Sequence, residues 1–212
     1  SDSAYSFTVN NTHVPVVTVV DVVKVWSDNN NQDGLRSAGV TVVLKADGNT
    51  VRTATLNANN NWRATFTDLP VYDNGKVIAY SVEELDVAGY SAVISNNGVF
   101  SFIITNVHVP ETTSVNVTKV WNDNNNQDGI RPSNVSVVLL ADGNVIDNAV
   151  LSDSNSWKVT FADFPVYSNG KVIVYSIEEI NVSNNYTYAI SNLTANEFIV
   201  TNTHVPVITV IN

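Results

Sequence analysis

The sequence predicts an all-β protein built from two tandem antiparallel β-sandwiches, and three observations support this prediction. Val, Ile, Thr and Tyr, which favour strands, are abundant, whereas Met is absent and Leu is scarce. Alternating apolar runs are separated by turn residues roughly every 8–15 positions, as expected for short antiparallel strands. A unit of about 95 residues occurs twice, so each copy has the size of a small domain.

The composition excludes several classes of function. The 212 residues carry a formal net charge of −10, and the ten Lys and Arg residues are scattered, so a nucleic-acid partner is not expected. Cysteine is absent, which removes disulfides, thiolate metal sites and cysteine nucleophiles together. No apolar run reaches the roughly 18 residues that a membrane span requires. Structural, ligand-binding and enzymatic β domains remain to be considered.

The repeat defines the domain organisation. The segment VVKVWSDNNNQDGLRSAGVTVVLKADGNTV returns as VTKVWNDNNNQDGIRPSNVSVVLLADGNVI, so that Lys24 corresponds to Lys119, and TNVHVP returns as TNTHVP. The linkers between units are short and contain proline, which predicts a stiff array. The predicted segments are the last strand of a preceding repeat plus linker (1–15), repeat 1 (16–110), repeat 2 (111–206) and the start of a following repeat (207–212).

Within each repeat, turn residues indicate the order of the strands. The first strand contains the repeated lysine and ends before DNNNQDG. Two strands follow in VTVVLKADGNTVRTATL, joined by Asp47 and Gly48, a pair typical of a two-residue hairpin. Asn74 and Gly75 begin a further strand in YDNGKVIAYSVEEL, and the last strand contains TNVH. This succession of short strands favours a sandwich of about seven strands per repeat.

Three polar residues of each repeat lie on strand faces that are otherwise apolar. Because side chains alternate along a strand, Lys119 shares a face with Val117 and Trp121. By the same parity, the second glutamate of each Glu-Glu pair points inward and the first points outward. An asparagine near the end of the last strand also points inward. The inward polar residues are Lys24, Glu84 and Asn106 in repeat 1 and Lys119, Glu179 and Asn202 in repeat 2.

Enclosed together, these three residue types can react with one another. An unpaired buried charge is costly, and burial favours the neutral lysine amine and the protonated glutamic acid. The neutral amine is a nucleophile, and the protonated carboxyl group can polarise the asparagine amide and move protons while ammonia leaves. We therefore predict an isopeptide crosslink between the Lys and Asn of each repeat, with Glu84 and Glu179 as the catalytic groups. The alternative is a buried Lys–Glu ion pair beside a hydrogen-bonded Asn, without a covalent bond.

The motifs around these residues resemble the B-type repeat domains of the collagen-binding adhesin (Cna B-type), which are common in surface adhesins and pilins. The matching motifs are TKVW, DNNNQDGIRP, YSIEE and TNTH, which occur in this order in repeat 2 and with small changes in repeat 1. The resemblance implies tandem immunoglobulin-like antiparallel β-sandwiches whose first and last strands are adjacent. It assigns the bond-forming and catalytic roles to the same six residues. Repeat 1 has LRSAG for IRPSN and VVK for VTK, and neither change replaces one of the six.

The DNNNQDG loop has two interpretations. It resembles an acidic calcium loop, but no bidentate glutamate follows at the last ligand position of such a loop. We favour a turn held by Asx side-chain hydrogen bonds and expect no cofactor. The calcium candidates are Asp28, Asn30 and Asp33 in repeat 1 and Asp123, Asn125 and Asp128 in repeat 2. The recurring His13, His108 and His204 and the four tryptophans are interpreted as structural residues.

These features predict a structural protein that performs one self-crosslinking event and has no enzymatic turnover. We expect stalk repeats of an extracellular, cell-surface adhesin or fibre, with neighbouring repeats of the same long chain as partners and with any host or cell-surface ligand bound by another region. The alternative is an adhesin module that recognises a host protein or glycan. Near-identical loops in the two repeats favour the spacer role. An enzyme acting on an external substrate is disfavoured, because no Ser–His–Asp set, paired catalytic carboxylates or metal cluster is visible.

Overall fold

The computed structural model describes residues 5–209 of the chain. The outer parts of the predicted flanking segments, at 1–4 and 210–212, lie outside the described residues. The chain divides into two compact units. Unit 1 contains the described residues up to Asn30 and Leu35–Val109, and unit 2 contains Asn31–Gly34 and the described residues from Pro110 onward.

Unit 1 is a β-sandwich of two sheets plus a small hairpin. One sheet has the order β4-β1-β9-β8 and the other β3-β2-β7, while β5 and β6 pair with each other. Its strands are β1 (Val17–Ser27), β2 (Gly39–Ala46), β3 (Asn49–Asn57), β4 (Arg63–Pro70), β5 (Tyr72–Asp73), β6 (Lys76–Val77), β7 (Tyr80–Glu84), β8 (Ser91–Asn96) and β9 (Ser101–Val107).

Unit 2 repeats this topology, with the orders β13-β10-β18-β17 and β12-β11-β16 and the hairpin β14-β15. The predicted fold class and the seven principal strands per repeat are therefore confirmed. The strands of unit 2 are β10 (Thr112–Asn122), β11 (Asn134–Ala141), β12 (Asn144–Ser152), β13 (Lys158–Pro165), β14 (Tyr167–Ser168), β15 (Lys171–Val172), β16 (Tyr175–Ile180), β17 (Thr187–Thr194) and β18 (Glu197–Thr203).

The first and last strands of each unit are neighbours, and they run parallel. β1 pairs with β9 and β10 with β18 in parallel, whereas the other paired strands are antiparallel. The chain therefore enters each unit at the start of one strand and leaves at the opposite end of the strand beside it. The adjacency implied by the family resemblance is confirmed.

The inward side chains of both sheets form one apolar core in each unit. In unit 1, Val20 and Val22 from β1 and Ile104 from β9 meet Val42 and Leu44 from β2, and all five are essentially inaccessible to solvent. The core of unit 2 has the corresponding composition. Burial of the alternate side chains fixes the register of each strand, because a shift by one residue would expose the entire apolar face.

The β2–β3 hairpin has the predicted two-residue turn. Asp47 and Gly48 adopt positive φ angles of 48° and 83°, as a type I′ turn requires. The expectation of one continuous strand after Asn74-Gly75 is wrong, because the chain is interrupted between β6 and β7. At this interruption the backbone N–H of Ala79 donates to the Asp47 carboxylate at 2.9 Å. The chain thus leaves the small hairpin before it joins β2.

Two regions of the described chain lie outside these sheets. Residues 5–16 form no strand, so among the described residues the segment predicted as a strand within 1–15 does not join either sheet. The 3-10 turns Ala58–Asn60 and Asp153–Asn155 are the helical elements between residues 5 and 209. Neither is long enough to cross a membrane, and no described helix has the length and hydropathy of a membrane span.

Candidate crosslinking site

Three strands bring the lysine, glutamate and asparagine of each unit together. In unit 2, Lys119 lies on β10, Glu179 on β16 and Asn202 on β18. The parallel register aligns Lys119 with Val200 and Trp121 with Asn202, so the asparagine lies one inward position beyond the lysine on the adjacent strand. Glu179 comes from the opposite sheet and faces them across the core. Lys24 on β1, Glu84 on β7 and Asn106 on β9 have the same arrangement in unit 1.

Burial confirms the faces predicted from strand parity. The side chains of Lys119 and Glu179 are both 0% exposed. Those of Lys24 and Glu84 are 0% and 1% exposed, whereas the neighbouring Glu83 side chain is 52% exposed and pairs with Lys45. Each unit therefore encloses one amine and one carboxyl group in its core, and only the second member of each glutamate pair belongs to this site.

In unit 2 the glutamate lies between the lysine and the asparagine. The Nδ2 of Asn202 donates a hydrogen bond to Glu179 Oε1 at 2.8 Å, and Glu179 Oε2 lies 3.8 Å from Lys119 Nζ. The amine also donates to the carbonyl oxygens of Val120 at 3.2 Å and Val200 at 3.3 Å. Glu179 Oε2 and Asn202 Oδ1 are enclosed and have no hydrogen-bond partner. The carboxyl group can therefore exchange protons with both neighbours.

In unit 1 the amide is enclosed beside the glutamate. Lys24 Nζ lies 3.6 Å from Glu84 Oε1 and donates to the carbonyl oxygen of Val25 at 3.0 Å. Both polar atoms of the Asn106 amide are fully enclosed and form no well-aligned hydrogen bond, although the amide interacts with Glu84 and opposes the raised pKa of that carboxyl group. The fold therefore encloses the amide beside the amine and the carboxyl group of this unit.

The electrostatics of the site favour the neutral amine. Burial lowers the pKa of Lys24 and of Lys119 to about 8, and the facing glutamates oppose this shift only in part. Burial also raises the pKa of Glu84, and the nearby Lys24 ammonium opposes this effect. In unit 1, a state in which the proton has moved from Lys24 to Glu84 therefore becomes accessible.

This arrangement provides the groups that amide exchange requires. The amine of Lys119 can act as a nucleophile once it has lost its proton. A half-turn of the Asn202 amide exchanges Nδ2 and Oδ1, after which a protonated Glu179 would donate to the carbonyl oxygen. The same glutamate can then deliver a proton to the departing nitrogen. No external cofactor is needed for these steps.

The first aspartate of each DNNNQDG loop is paired with an arginine. Arg131 donates to Asp123 through Nε at 2.8 Å and Nη2 at 2.6 Å, and Tyr186 donates to the same carboxylate at 3.0 Å. These hydrogen bonds, those from Arg131 first, hold the pKa of Asp123 well below its usual range. In unit 1, Asp28 accepts the equivalent hydrogen bonds from Arg36 at 3.0 and 2.6 Å and from Tyr90 at 2.8 Å.

The remaining loop residues form the hydrogen bonds of an Asx turn. The backbone N–H of Asn126 donates to Asp123 at 3.0 Å, and the backbone N–H of Arg131 donates to the Asn126 side chain at 2.9 Å. The calcium candidates Asn30 and Asn125 are exposed, and Asp33 is buried. Among the described residues, no three His, Cys, Asp or Glu side chains lie close enough to hold a metal ion. The geometry is that of the turn we favour from the sequence.

Asp128, the last calcium candidate, fixes the end of unit 2. Its Oδ2 accepts the backbone N–H of Val207 at 3.0 Å and lies 3.1 Å from His204 Nε2. The other ring nitrogen of His204 contacts the carbonyl oxygen of Asn185 at 2.9 Å. The hydrogen bond to Asp128 is the main cause that raises the pKa of His204 above its ordinary value. This histidine therefore has a structural partner.

We expect an NMR titration to place the pKa of His204 above 6.5, and Asp128→Asn to return it toward that value. Because the pKa is raised in the folded state, the pair stabilises unit 2 below the pKa of the unfolded chain. This contribution is lost as the pH rises through the folded-state pKa. A His204 pKa at or below 6.5 would contradict this assignment.

The sequence motifs do not by themselves indicate a role for the arginine and tyrosine of each loop network. Arg36 and Arg131 lie within the repeated motifs, and Tyr90 and Tyr186 recur at a similar spacing. Because the chain has only ten basic residues, an arginine that recurs in both repeats was the sequence feature that could have indicated a partner for the loop aspartate. The predicted core role of the four tryptophans agrees with their partial burial against the two cores.

The fold and the site together define a class of protein, namely tandem immunoglobulin-like repeat domains. Each domain encloses one Lys from its first strand, one Glu from a late strand and one Asn from its last strand. Comparison with known families identifies the class more closely. The family model of the Cna protein B-type domain matches residues 20–107 and 115–203. The chain belongs to this family and consists of two tandem Cna B-type domains.

Relatives of known identity support this assignment. A collagen adhesin of Staphylococcus aureus is 43% identical over 201 residues, which cover 94% of this chain and 16% of that protein. The crystal structure of two B repeat units of the collagen-binding protein of Staphylococcus aureus is 40% identical, with a TM-score of 0.77, and the match covers 89% of this chain and 50% of that chain. The chain thus spans a small part of its adhesin relative and is similar to its B repeats.

Proposed function

We propose that the chain is a stalk segment of an extracellular, cell-surface adhesin, in which each repeat closes itself with a Lys–Asn isopeptide bond. The observation that carries this proposal is the enclosed Lys–Glu–Asn set, which occurs in both units with the lysine and asparagine on adjacent strands. The bonds would join Lys24 to Asn106 and Lys119 to Asn202. Similarity to the B repeats of a collagen adhesin supports a place outside the cell.

The proposed reaction balances without an external reagent. Nζ of the neutral lysine attacks Cγ of the asparagine while the glutamic acid donates its proton to the amide oxygen. The glutamate then takes a proton from the attacking nitrogen and delivers it to Nδ2. The Cγ–Nδ2 bond breaks, ammonia leaves, and the proton on the amide oxygen returns to the glutamate, so that a secondary amide joins the two side chains. The glutamic acid is regenerated, and each repeat reacts once.

The position of the bond explains its mechanical value. Because β1 and β9 are parallel neighbours, tension between the ends of the unit shears these two strands against each other. A covalent bond between Lys24 and Asn106 would carry that load in place of the backbone hydrogen bonds. The chain contains no cysteine, so a disulfide cannot perform this task. A rigid spacer that holds an adhesive region away from the cell would benefit from such a bond.

Peptide mapping tests this proposal. We expect protease digestion of the native protein to release one branched peptide that contains Lys119 joined to Asn202 and another that contains Lys24 joined to Asn106. Glu179→Gln should eliminate the first branched peptide and leave the second, because Gln cannot transfer the proton. Glu178→Gln is the matched control, since its side chain is exposed on the same strand. Recovery of linear peptides alone from the native protein would refute the chemistry.

A further inference from the structure

A second set of contacts, which has the same geometry in both units, lies directly beside the lysine of each unit. We define the aromatic cap of unit 2 as Trp121, Asp123, Arg131 and Tyr186; Trp26, Asp28, Arg36 and Tyr90 form the aromatic cap of unit 1. Lys119 Nζ lies 4.2 Å from the centroid of the Trp121 ring, and Lys24 Nζ lies 4.3 Å from that of Trp26. Each reacting amine therefore contacts an indole ring.

The same indole ring lies beside the reacting amide. Trp121 is two residues beyond Lys119 on β10 and pairs in register with Asn202 on β18. Because its side chain is on the inward face, it lies next to both residues that would be joined. Trp26 has the same relation to Lys24 and Asn106. One ring thus covers the space in which the bond would form.

The other members of the aromatic cap hold this ring in place. Arg131 Cζ lies over the Trp121 ring, 5.4 Å from its centroid, while Tyr186 makes an edge contact with a centroid distance of 5.1 Å. Arg131 and Tyr186 are in turn bound to Asp123, which is 1% exposed. The indole Nε1 is enclosed and has no hydrogen-bond partner. The position of the ring therefore depends on these contacts and on packing.

We propose that the tryptophan of each aromatic cap is a positioning residue for crosslinking, which holds the lysine amine against the asparagine and keeps water away from it. This inference rests on the proposed isopeptide function and adds residues to its site. The Arg–Asp pair acts through the tryptophan, since it fixes the ring and presents a neutralised charge to the amine. The sequence of the loop is thereby linked to the chemistry in the core.

The groups around Lys119 determine the expected pH dependence. Burial lowers the pKa of Lys119, the carboxylates of Glu179 and Asp123 oppose this, and Arg131 adds to the lowering. Removing the ring would admit water and move the amine pKa back toward its ordinary value. Loss of the attraction between the ammonium and the ring face opposes this shift, and we expect hydration to dominate because burial is the largest cause of the lowered pKa. Removing the Arg131 charge would leave Asp123 unpaired near the amine and act in the same direction. A rise of about one pKa unit reduces the neutral fraction of the amine about tenfold at neutral pH.

The test follows bond formation as the chain folds. Unfolded, unlinked protein from inclusion bodies is diluted from denaturant at a series of pH values on both sides of 8, quenched in acid and weighed by mass spectrometry. We expect Trp121→Leu to slow the loss of one of the two ammonia molecules about tenfold or more near neutral pH and to move the midpoint of the pH profile upward. Arg131→Gln should shift the midpoint in the same direction, and Trp121→Phe should restore most of the rate.

Two controls separate positioning from folding. Unit 1 of the same chain should lose its ammonia at the wild-type rate. Glu178→Gln alters an exposed side chain on β16, outside the aromatic cap, and should leave the rate and the pH midpoint unchanged. An unaltered rate and midpoint in Trp121→Leu would overturn the inference, as would a slower rate with an unchanged midpoint and no rescue by Phe. If the wild-type chain loses no ammonia at all, the proposed function itself fails.

Discussion

A single chain stretched by its ends is expected to show no unfolding extension from within either crosslinked repeat. The load enters unit 1 through β1 and leaves through β9, so the proposed bond between Lys24 and Asn106 lies on the shortest covalent path. The residues between these positions are then bypassed by the force. Hydrogen-bonded strands yield under sufficient shear, whereas a covalent amide does not. The native protein should therefore behave as two short, inextensible modules.

Variants that cannot crosslink should release a large hidden length. The span from position 24 to 106 is 82 residues and that from 119 to 202 is 83 residues. At about 3.3–3.6 Å per extended residue, Glu84→Gln with Glu179→Gln should add two steps of roughly 270–300 Å each, less the folded distance between the tie points.

The adjacent outward glutamates provide the matched control for stretching. Glu83→Gln and Glu178→Gln alter exposed side chains on the same strands and should leave the chain inextensible. A native chain that extends in two steps of the full length would contradict the load-bearing role. Force spectroscopy with internal length standards is sufficient to distinguish these results.

Loss of one crosslink is expected to lower the melting temperature of its unit strongly. Closing a loop of about 80 residues stabilises a protein by roughly 4–5 kcal/mol in the chain-entropy description. For a domain of this size, each kcal/mol lost from the free energy of unfolding lowers the melting temperature by about 4–8 °C. We therefore expect Asn202→Ala to lower the melting temperature of unit 2 by about 20 °C or more. This substitution blocks the bond but leaves the Lys119–Glu179 pair in place, which avoids an unpaired buried charge.

Calorimetry of the two-unit protein tests this prediction with an internal reference. Unit 1, which retains its own site, should melt as in the native protein. Asn122→Ala changes an exposed position on β10 and should have little effect. If Asn202→Ala lowers the transition of unit 2 by only the few degrees expected for a small cavity, no covalent closure of that unit is lost.

Much of the architecture follows from local sequence rules. The two-residue turn at Asp47 and Gly48 needs positive φ angles that this pair adopts easily, and the alternation of Val20, Val22 and Lys24 determines the inward face of β1. The same alternation identifies the buried glutamate of each pair. These features depend on neighbouring residues alone, and they place each of the three groups on an inward face. The adjacency of the first and last strands, which brings the groups together, was instead implied by the family resemblance.

Other features depend on contacts between distant parts of the chain. The interruption between β6 and β7 arises where the Ala79 backbone binds Asp47, 32 residues away. The pairing of Asp123 with Tyr186 joins positions 63 residues apart. Strand periodicity contains no information about such contacts. The interpretation of DNNNQDG could therefore not be decided from its own residues, because the partners of its aspartates lie elsewhere.

The intact mass of the native protein tests the central claim most directly. Two isopeptide bonds require that two ammonia molecules be lost, so the measured mass should fall below the sequence mass by that amount, and each Glu→Gln variant should recover the mass of one ammonia. The measurement needs no assumption about stability or load. A native chain with the full mass calculated from its sequence would show that its enclosed lysines and asparagines do not react.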